Sequence, residues 1–328
     1  MNIHFFLTPK EMPDGIFEEW IPDDNPKMYS SGVGHNVLEL ASRLKARGHT
    51  VTLGHQPPSD ASAVIFFKKH FLLRNDLTLE ILKVAIRHPV ILIRSDLEVD
   101  ARLVFNPDLE VMPNRSILRG TNQVYIPPFP QRGLIRREKL NGNRIENLEI
   151  KCNPENVPDY LELLVVEVNA LDPAITVKVD APSSADGSDN NWNDFSKVDL
   201  SLIIRPVGEN PGSNARKPPT RLINAWVAGT IPLVDPLPAY TDLIRDEIDG
   251  FIVENPEQVV AVVKKLAENP EYCEEVFENC RRRGEDYQVN ELLEIWEQSI
   301  INIANETKRG GRRATRILLE FLKTYIRR

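Results

Sequence analysis

The sequence predicts two α/β domains in tandem, each built on a parallel sheet with helices on both faces. Three observations carry that prediction. Short apolar runs such as AVIFF (63–67), PVILIR (89–94) and DLSLIIRP (199–206) are continuous rather than alternating, as strands covered on both faces must be. They alternate along the chain with segments of helical period, the mark of repeated βαβ units. The chain has 328 residues, about twice an ordinary domain, and at 41% hydrophobic it can fill two cores.

The elements follow in order. NIHFFLT (2–8) is a buried first strand, and the polar, proline-containing stretch 11–34 is a loop. In NVLELASRLKARGH, Val37, Leu40, Ala41 and Leu44 share one helical face, and Gly48 is placed as the C-terminal cap. TVTLGH and AVIFF are strands, LTLEILKVAIRH is a helix, and PVILIR, LEVMP and QVYIPPFP are strand-like runs. Prolines 127, 128 and 130 break the pattern, and with QRGLIRREKLNGNR behind them they mark the best candidate boundary.

Beyond it, ENLEIKC is a strand and PENVPDYLELLVVEVNAL a helix, with Pro154 and Glu155 suited to its first turn. AITVKVD is an alternating strand, 182–199 a long polar loop, and DLSLIIRP a buried strand. KPPTRLINAWVAG is a helix ended by Gly229, and TIPLVD is the strand after it. PEQVVAVVKKLAENP and PEYCEEVFENCRRRGEDY are amphipathic helices, and the chain finishes in a helical tail. The expected division is 1–135, 136–290 and a helical segment 291–328.

Composition excludes several classes. A net charge of −8 argues against nucleic acid as a partner. Three cysteines show no metal-site or disulfide spacing, and Cys273 and Cys280 share an apolar helical face with Val276 and Phe277, as core thiols would. No segment has the apolar length to cross a bilayer, and MNIHFFLTPK is too short an apolar run for a signal peptide. A cytoplasmic protein, or one peripheral at the inner face of the membrane, is expected.

The chemistry centres on KPPTRLINAWVAG. Leu222, Ala225, Trp226 and Gly229 form the packing face, and Pro218 and Pro219 suit a helix start, where a missing N–H costs nothing. Lys217 and Arg221, four residues apart, stand where the helix dipole ordinarily favours acids. Cations beside free amides make sense if an anion sits there, and phosphate is the usual one. A solvated pair of surface cations is the plain alternative.

This stretch resembles the donor-binding region of glycosyltransferases with the two-domain B-type fold, in which two Rossmann-like, doubly wound domains face a cleft. Many retaining families of that fold place two glutamates here; in this chain Asn224 stands for the second and Arg216 for the first. The run is closer to a less characterised branch reading Lys-Pro-x-Thr-Lys/Arg-Leu-x-Asn-Ala-Trp. SSGVGHNVLELASRLKARGHTV resembles the fold's amino-terminal glycine loop and first helix, and IPPFPQRGLIRR the passage to its second domain. Where the branch has a glutamate before Ala-Tyr, this chain has Pro238.

The resemblance implies transfer of a sugar from a nucleoside-diphosphate donor, without a metal and with no cofactor, to a carbohydrate or lipid-linked acceptor held by the first domain. Lys217 and Arg221 would stabilise the leaving diphosphate, assisted by Thr220 and the helix amides. Pro218 and Tyr240 would complete the donor site, with Arg205 as a further phosphate ligand or else a member of a structural ion pair, Asn224 on the ribose or sugar unless it is only a helix-face polar group, and Gly32 and Gly34 approaching the ligand by backbone. His35 is a candidate base for the acceptor hydroxyl or an ordinary polar residue at a helix start, and Asp96 is the alternative base. Lys68 and Arg94 also follow strands at their carboxyl ends, where open α/β sheets bind ligands. The missing acidic pair leaves open a catalytically inactive nucleotide- or glycan-binding relative. A two-lobed periplasmic sugar-binding protein is disfavoured by the lack of a signal sequence and by a single crossing between the segments.

The tail, KRGGRRATRILLEFLKTYIRR, carries an apolar stripe of Ala314, Ile317, Leu318, Phe321, Leu322 and Tyr325 among basic residues. It reads either as a helix packed back on the protein, the favoured reading, or as a peripheral membrane contact through 312–328.

Overall fold

The structure is a computed structural model that describes residues 1–8, 32–67, 71, 77–95, 103–138, 140, 144–181, 191–205, 217–309 and 313–326. The chain forms two compact units: Met1–Phe129 with Arg216–Pro218 and Val289–Arg328, and Pro130–Ala215 with Pro219–Gln288. It therefore passes between units more than once, where the sequence suggested a single crossing.

The first unit is a six-stranded, wholly parallel sheet, with strands β1 (Asn2–Phe6), β2 (Thr50–Gly54), β3 (Ala63–Phe67), β4 (Val90–Ile93), β5 (Leu109–Met112) and β6 (Gln123–Tyr125) in the order β2-β1-β3-β4-β5-β6. Its helices are α1 (Glu39–Ala46), led in by a π-helical turn over Gly34–Leu38, and α2 (Thr78–Arg87). Alternation along each strand explains the continuous apolar runs. Ile3, Phe5, Ala63, Ile65, Ile91 and Ile93 face α1, while Phe6, Val64, Phe66, Val90 and Leu92 face α2. Each such side chain, removed from water on a covered face, contributes about 2 kcal/mol. Gly48 ends the α1 turn at φ +88, which a side chain would resist.

The second unit is a five-stranded parallel sheet, with β7 (Asn147–Lys151), β8 (Thr176–Asp180), β9 (Leu200–Ile203), β10 (Ile231–Val234) and β11 (Phe251–Ile252) in the order β11-β10-β9-β7-β8. Around it lie α3 (Leu161–Leu171), α4 (Thr220–Ala228), the single turn α5 (Pro238–Thr241), α6 (Pro256–Glu268) and α7 (Pro270–Glu285). The two-residue β11 and the turn α5 were not anticipated. The start of α3 corrects the sequence expectation: Pro154–Asn156 form only a 3-10 turn. Pro158 forces Val157 out of the helical region, to φ −67 and ψ 129, so the helix waits until Leu161.

Buried Asp199 fixes the beginning of this sheet. Its carboxylate accepts the Glu146 and Asn147 amides, both at 2.8 Å, and meets Arg137 at 2.6 Å. Asn255 caps α6 by accepting the Gln258 amide at 2.9 Å, with Pro256 at the first helical position. Trp226 of α4 packs tightly: its indole donates to the Asp249 carbonyl at 2.6 Å and stacks on Tyr287, and its backbone lies against Gly284 of α7. Cys273 and Cys280 are buried in the same core, as expected.

The last helices, α8 (Val289–Arg309) and α9 (Arg313–Ile326), belong to the first unit. Leu292, Leu293, Trp296 and Ile300 of α8 join the core on the α1 face of the sheet, and Ile317 of α9 joins the core on the α2 face.

Candidate functional site

In the second unit the strand order reverses between β7 and β9, and in open α/β sheets ligands gather at the carboxyl ends beside such a point. Two charged residues stand there. Arg205 lies two residues past β9, and Asp235 directly follows β10. The Arg205 backbone amide donates to Asp235 Oδ2 at 3.0 Å, which ties the two strand ends together. Asp235 Oδ1 is buried without a hydrogen-bond partner among the described residues.

Helix α4 starts over the same strand ends. Pro219 occupies its cap position, no side chain caps it, and its first turn holds Arg221 and no acid. Thr220 is the first helical residue and does not cap. The first amide paired within the helix is that of Ile223, which donates to the Pro219 carbonyl at 3.0 Å. The amides of Thr220, Arg221 and Leu222 thus have no helical acceptor and present the positive end of the dipole.

Tyr240, in the turn α5, completes the cluster. Its side chain is fully buried, and its hydroxyl, like Arg205 Nε, lacks a hydrogen-bond partner among the described residues. The Arg205 guanidinium approaches this hydroxyl closely enough to act on its proton, but without hydrogen-bond geometry. Burial pushes the Tyr240 phenol up, against the pull of Arg205 and Arg221. Burial likewise pushes the Asp235 carboxyl up to about 6, with the Arg205 amide and the charges of Arg205 and Arg221 holding it from rising further. Each buried polar atom left unpaired costs about 1–3 kcal/mol. Three of them, Arg205 Nε, Asp235 Oδ1 and Tyr240 Oη, lie together at the strand ends beside the start of α4.

Asn224 lies one turn farther along α4, and its amide is already occupied. Its Oδ1 accepts the Gln131 backbone amide at 3.0 Å, and its Nδ2 donates to the Gln131 side chain. The residue fastens Gln131 to α4. Lys217 and Pro218 group with the first unit, where the Asn114 side chain donates to the Lys217 carbonyl at 3.3 Å.

In the first unit, Gly34 opens the π-helical turn and is buried, while Gly32 is exposed and its carbonyl accepts from the Asn36 side chain at 2.9 Å. His35 lines a cavity of about 40 Å³ with Ser95, Pro113, Phe129, Pro218 and Trp296. Both of its ring nitrogens are buried without a partner among the described residues, and burial pushes the imidazole down to about 4. His35 is therefore neutral near pH 7. Arg94 pairs with buried Glu110 at 2.9 Å. Asp96 and Lys68 lie outside the described residues. Among the described residues no three His, Cys, Asp or Glu side chains gather as metal ligands would.

Asp235 was missed by sequence reasoning, although the strand-ending VD of TIPLVD carried the same positional signal as Arg205. No protein-family model matches the sequence, and no curated protein matches it. Solved structures do resemble it. Sucrose-phosphate synthase from Thermosynechococcus elongatus is 10% identical over 94% of this chain and 98% of its own, with a TM-score of 0.56. Anabaena HepE in complex with UDP is 8% identical over 92% of this chain and 100% of its own, with a TM-score of 0.53. The pneumococcal O-GlcNAc transferase GtfA in complex with UDP and GlcNAc is 13% identical over 74% of this chain, with a TM-score of 0.50, and the match spans 56% of GtfA. The likeness shows the fold: two Rossmann-like domains of the B type found in glycosyltransferases.

Proposed function

We propose that this chain is a glycosyltransferase that moves a sugar from a nucleoside-diphosphate donor to a hydroxyl-bearing acceptor, with the donor diphosphate at the start of α4. The observation that carries the reading is the unpaired set Arg205 Nε, Asp235 Oδ1 and Tyr240 Oη beside Arg221 and the first amides of α4, which have no acceptor within the helix. That HepE and GtfA hold UDP on the same fold supports a nucleotide donor.

In the reaction, the acceptor oxygen bonds to the anomeric carbon and loses its proton. The bond from that carbon to the diphosphate oxygen breaks, and the electron pair leaves with the diphosphate. Arg205, Arg221 and the amides of α4 stabilise the charge that grows on the leaving oxygen. Lys217, three residues ahead of Thr220 in the chain, is the further cation of this proposal, and the Thr220 hydroxyl adds a donor. Positive charge from these side chains serves the leaving group in place of a divalent ion. Asp235 Oδ1, rather than the occupied amide of Asn224, accepts a ribose or sugar hydroxyl. On the acceptor side, neutral His35 offers the lone pair of one unpartnered ring nitrogen to a hydroxyl proton.

Donor hydrolysis across the common nucleotide sugars tests this. Arg205→Ala and Arg221→Ala should each lower turnover on the order of 100-fold while circular dichroism stays unchanged, and EDTA should have no effect. Turnover equal to wild type in both variants refutes the site. The occupied amide of Asn224, at the position where the retaining families carry an acid, favours a second reading as a non-catalytic binder. Donor binding without turnover across many acceptors would establish it.

A further inference from the structure

Helix α9 uses one side of its apolar surface and leaves another uncovered. Ile317 is fully buried against α2, and Phe321 is packed beside it. The helix is anchored at its start and its middle: Arg313 donates to Asp108 at 2.5 Å and to the His88 carbonyl at 2.6 Å, and Glu320 accepts the Asn106 amide at 3.2 Å. The outer side therefore cannot roll inward. It carries Leu318, Leu319 and Leu322, which are 41%, 51% and 47% exposed. The single stripe expected from the sequence thus divides, with Ile317 and Phe321 inward and Leu318 and Leu322 outward.

The charge beside these leucines runs against that of the whole protein. Residues 308–328 contain 8 cations and 1 acid in a chain of net charge −8. Arg316, bonded to Asp108 at 2.9 Å, and Lys323 are both exposed on α9. Adjacent leucines and cations match a surface that is both apolar and anionic. A second copy is a poorer match, because a two-fold contact through this face would set one basic strip against another. No described helix is long and apolar enough to cross a membrane, so the face suits adsorption and not insertion.

We propose that α9 docks the first unit on a membrane surface rich in anionic lipid, with Leu318, Leu319 and Leu322 entering the headgroup boundary and Arg316 and Lys323 meeting lipid phosphates. This does not rest on the transferase reading.

Co-sedimentation of the full chain with vesicles tests it. The protein should bind phosphatidylcholine vesicles containing phosphatidylglycerol at least about tenfold more tightly than phosphatidylcholine alone, and high salt should release it. Substituting Leu318→Gln, Leu319→Gln and Leu322→Gln together should abolish sedimentation without moving the thermal midpoint, since all three side chains are exposed. Lys323→Glu should weaken binding only to the anionic vesicles. Failure of the wild type to bind anionic vesicles, or undiminished binding by the triple variant, overturns the proposal. So does a wild-type dimer in light scattering that the triple variant converts to monomer, which would assign the face to a second copy.

Discussion

Asp235 is held between opposing influences, and their balance is measurable. Burial raises its carboxyl to about 6, while the Arg205 amide and two guanidinium charges limit the rise. A charged Asp235 is the stronger acceptor for the ribose or sugar hydroxyl proposed for it, so binding of a nucleotide sugar, whose phosphates do not titrate in this range, should weaken as pH falls from 7 towards 5. Calorimetry should show this trend in the wild type and a flat profile in Asp235→Asn. His4 and His35 act on stability with a definite sign. Both imidazoles are pushed by burial to about 4 from an ordinary 6.5, so between those values the unfolded chain binds more protons and stability falls with acidity. Asp235 works the other way over the same range, because its folded carboxyl keeps a proton longer than the unfolded one. The urea midpoint should therefore drop between pH 6.5 and 4.5, and drop less steeply in His4→Gln combined with His35→Asn. An equal slope in that double variant would remove these histidines from the explanation.

Two glycines show how local backbone and element packing differ in consequence. An added Cβ at Gly284 would lie 2.5 Å from the Trp226 carbonyl oxygen, which is backbone and cannot step aside. Gly284→Ala should force α7 off α4 and destabilise the protein by about 2–3 kcal/mol, with loss of donor binding because α4 carries Arg221. Gly48→Ala meets open space and suffers only its positive φ, so about 1 kcal/mol is expected and no change in binding. Chemical denaturation of the two variants compares them directly. Most elements were legible because apolar runs such as AVIFF announce strands on a doubly covered sheet. The late start of α3 depended on Pro158 overruling a helical pattern, and β11 was too short for any pattern to register. The placement of Arg205 after a strand and of Arg221 at a helix start could be read from the sequence. Asn224 could not be resolved, because its fate is decided by Gln131, 93 residues away in the chain. Asp235 ends a strand as Arg205 does and was overlooked, while its raised carboxyl exists only through neighbours brought by other elements.

At the scale of the whole chain, the first sheet is finished by the last helices. Leu292, Leu293, Trp296 and Ile300 of α8 are buried on the same face as α1. Ending the chain at Gln288 should leave that face bare, giving a product that aggregates or binds the dye ANS, whereas stopping after Arg309 should spare it. A soluble, cooperatively unfolding 1–288 fragment would contradict this placement. The arrangement also has a consequence for biosynthesis. As the polypeptide leaves the ribosome, the strands of the first sheet and α1 emerge well before α8, which completes the cover of that face, by which time the intervening half can already have folded. Throughout elongation the nascent protein carries a half-clad, sticky sheet. It should consequently depend on chaperones more than its size alone would suggest, and codon changes that slow translation of the last stretch should reduce soluble yield.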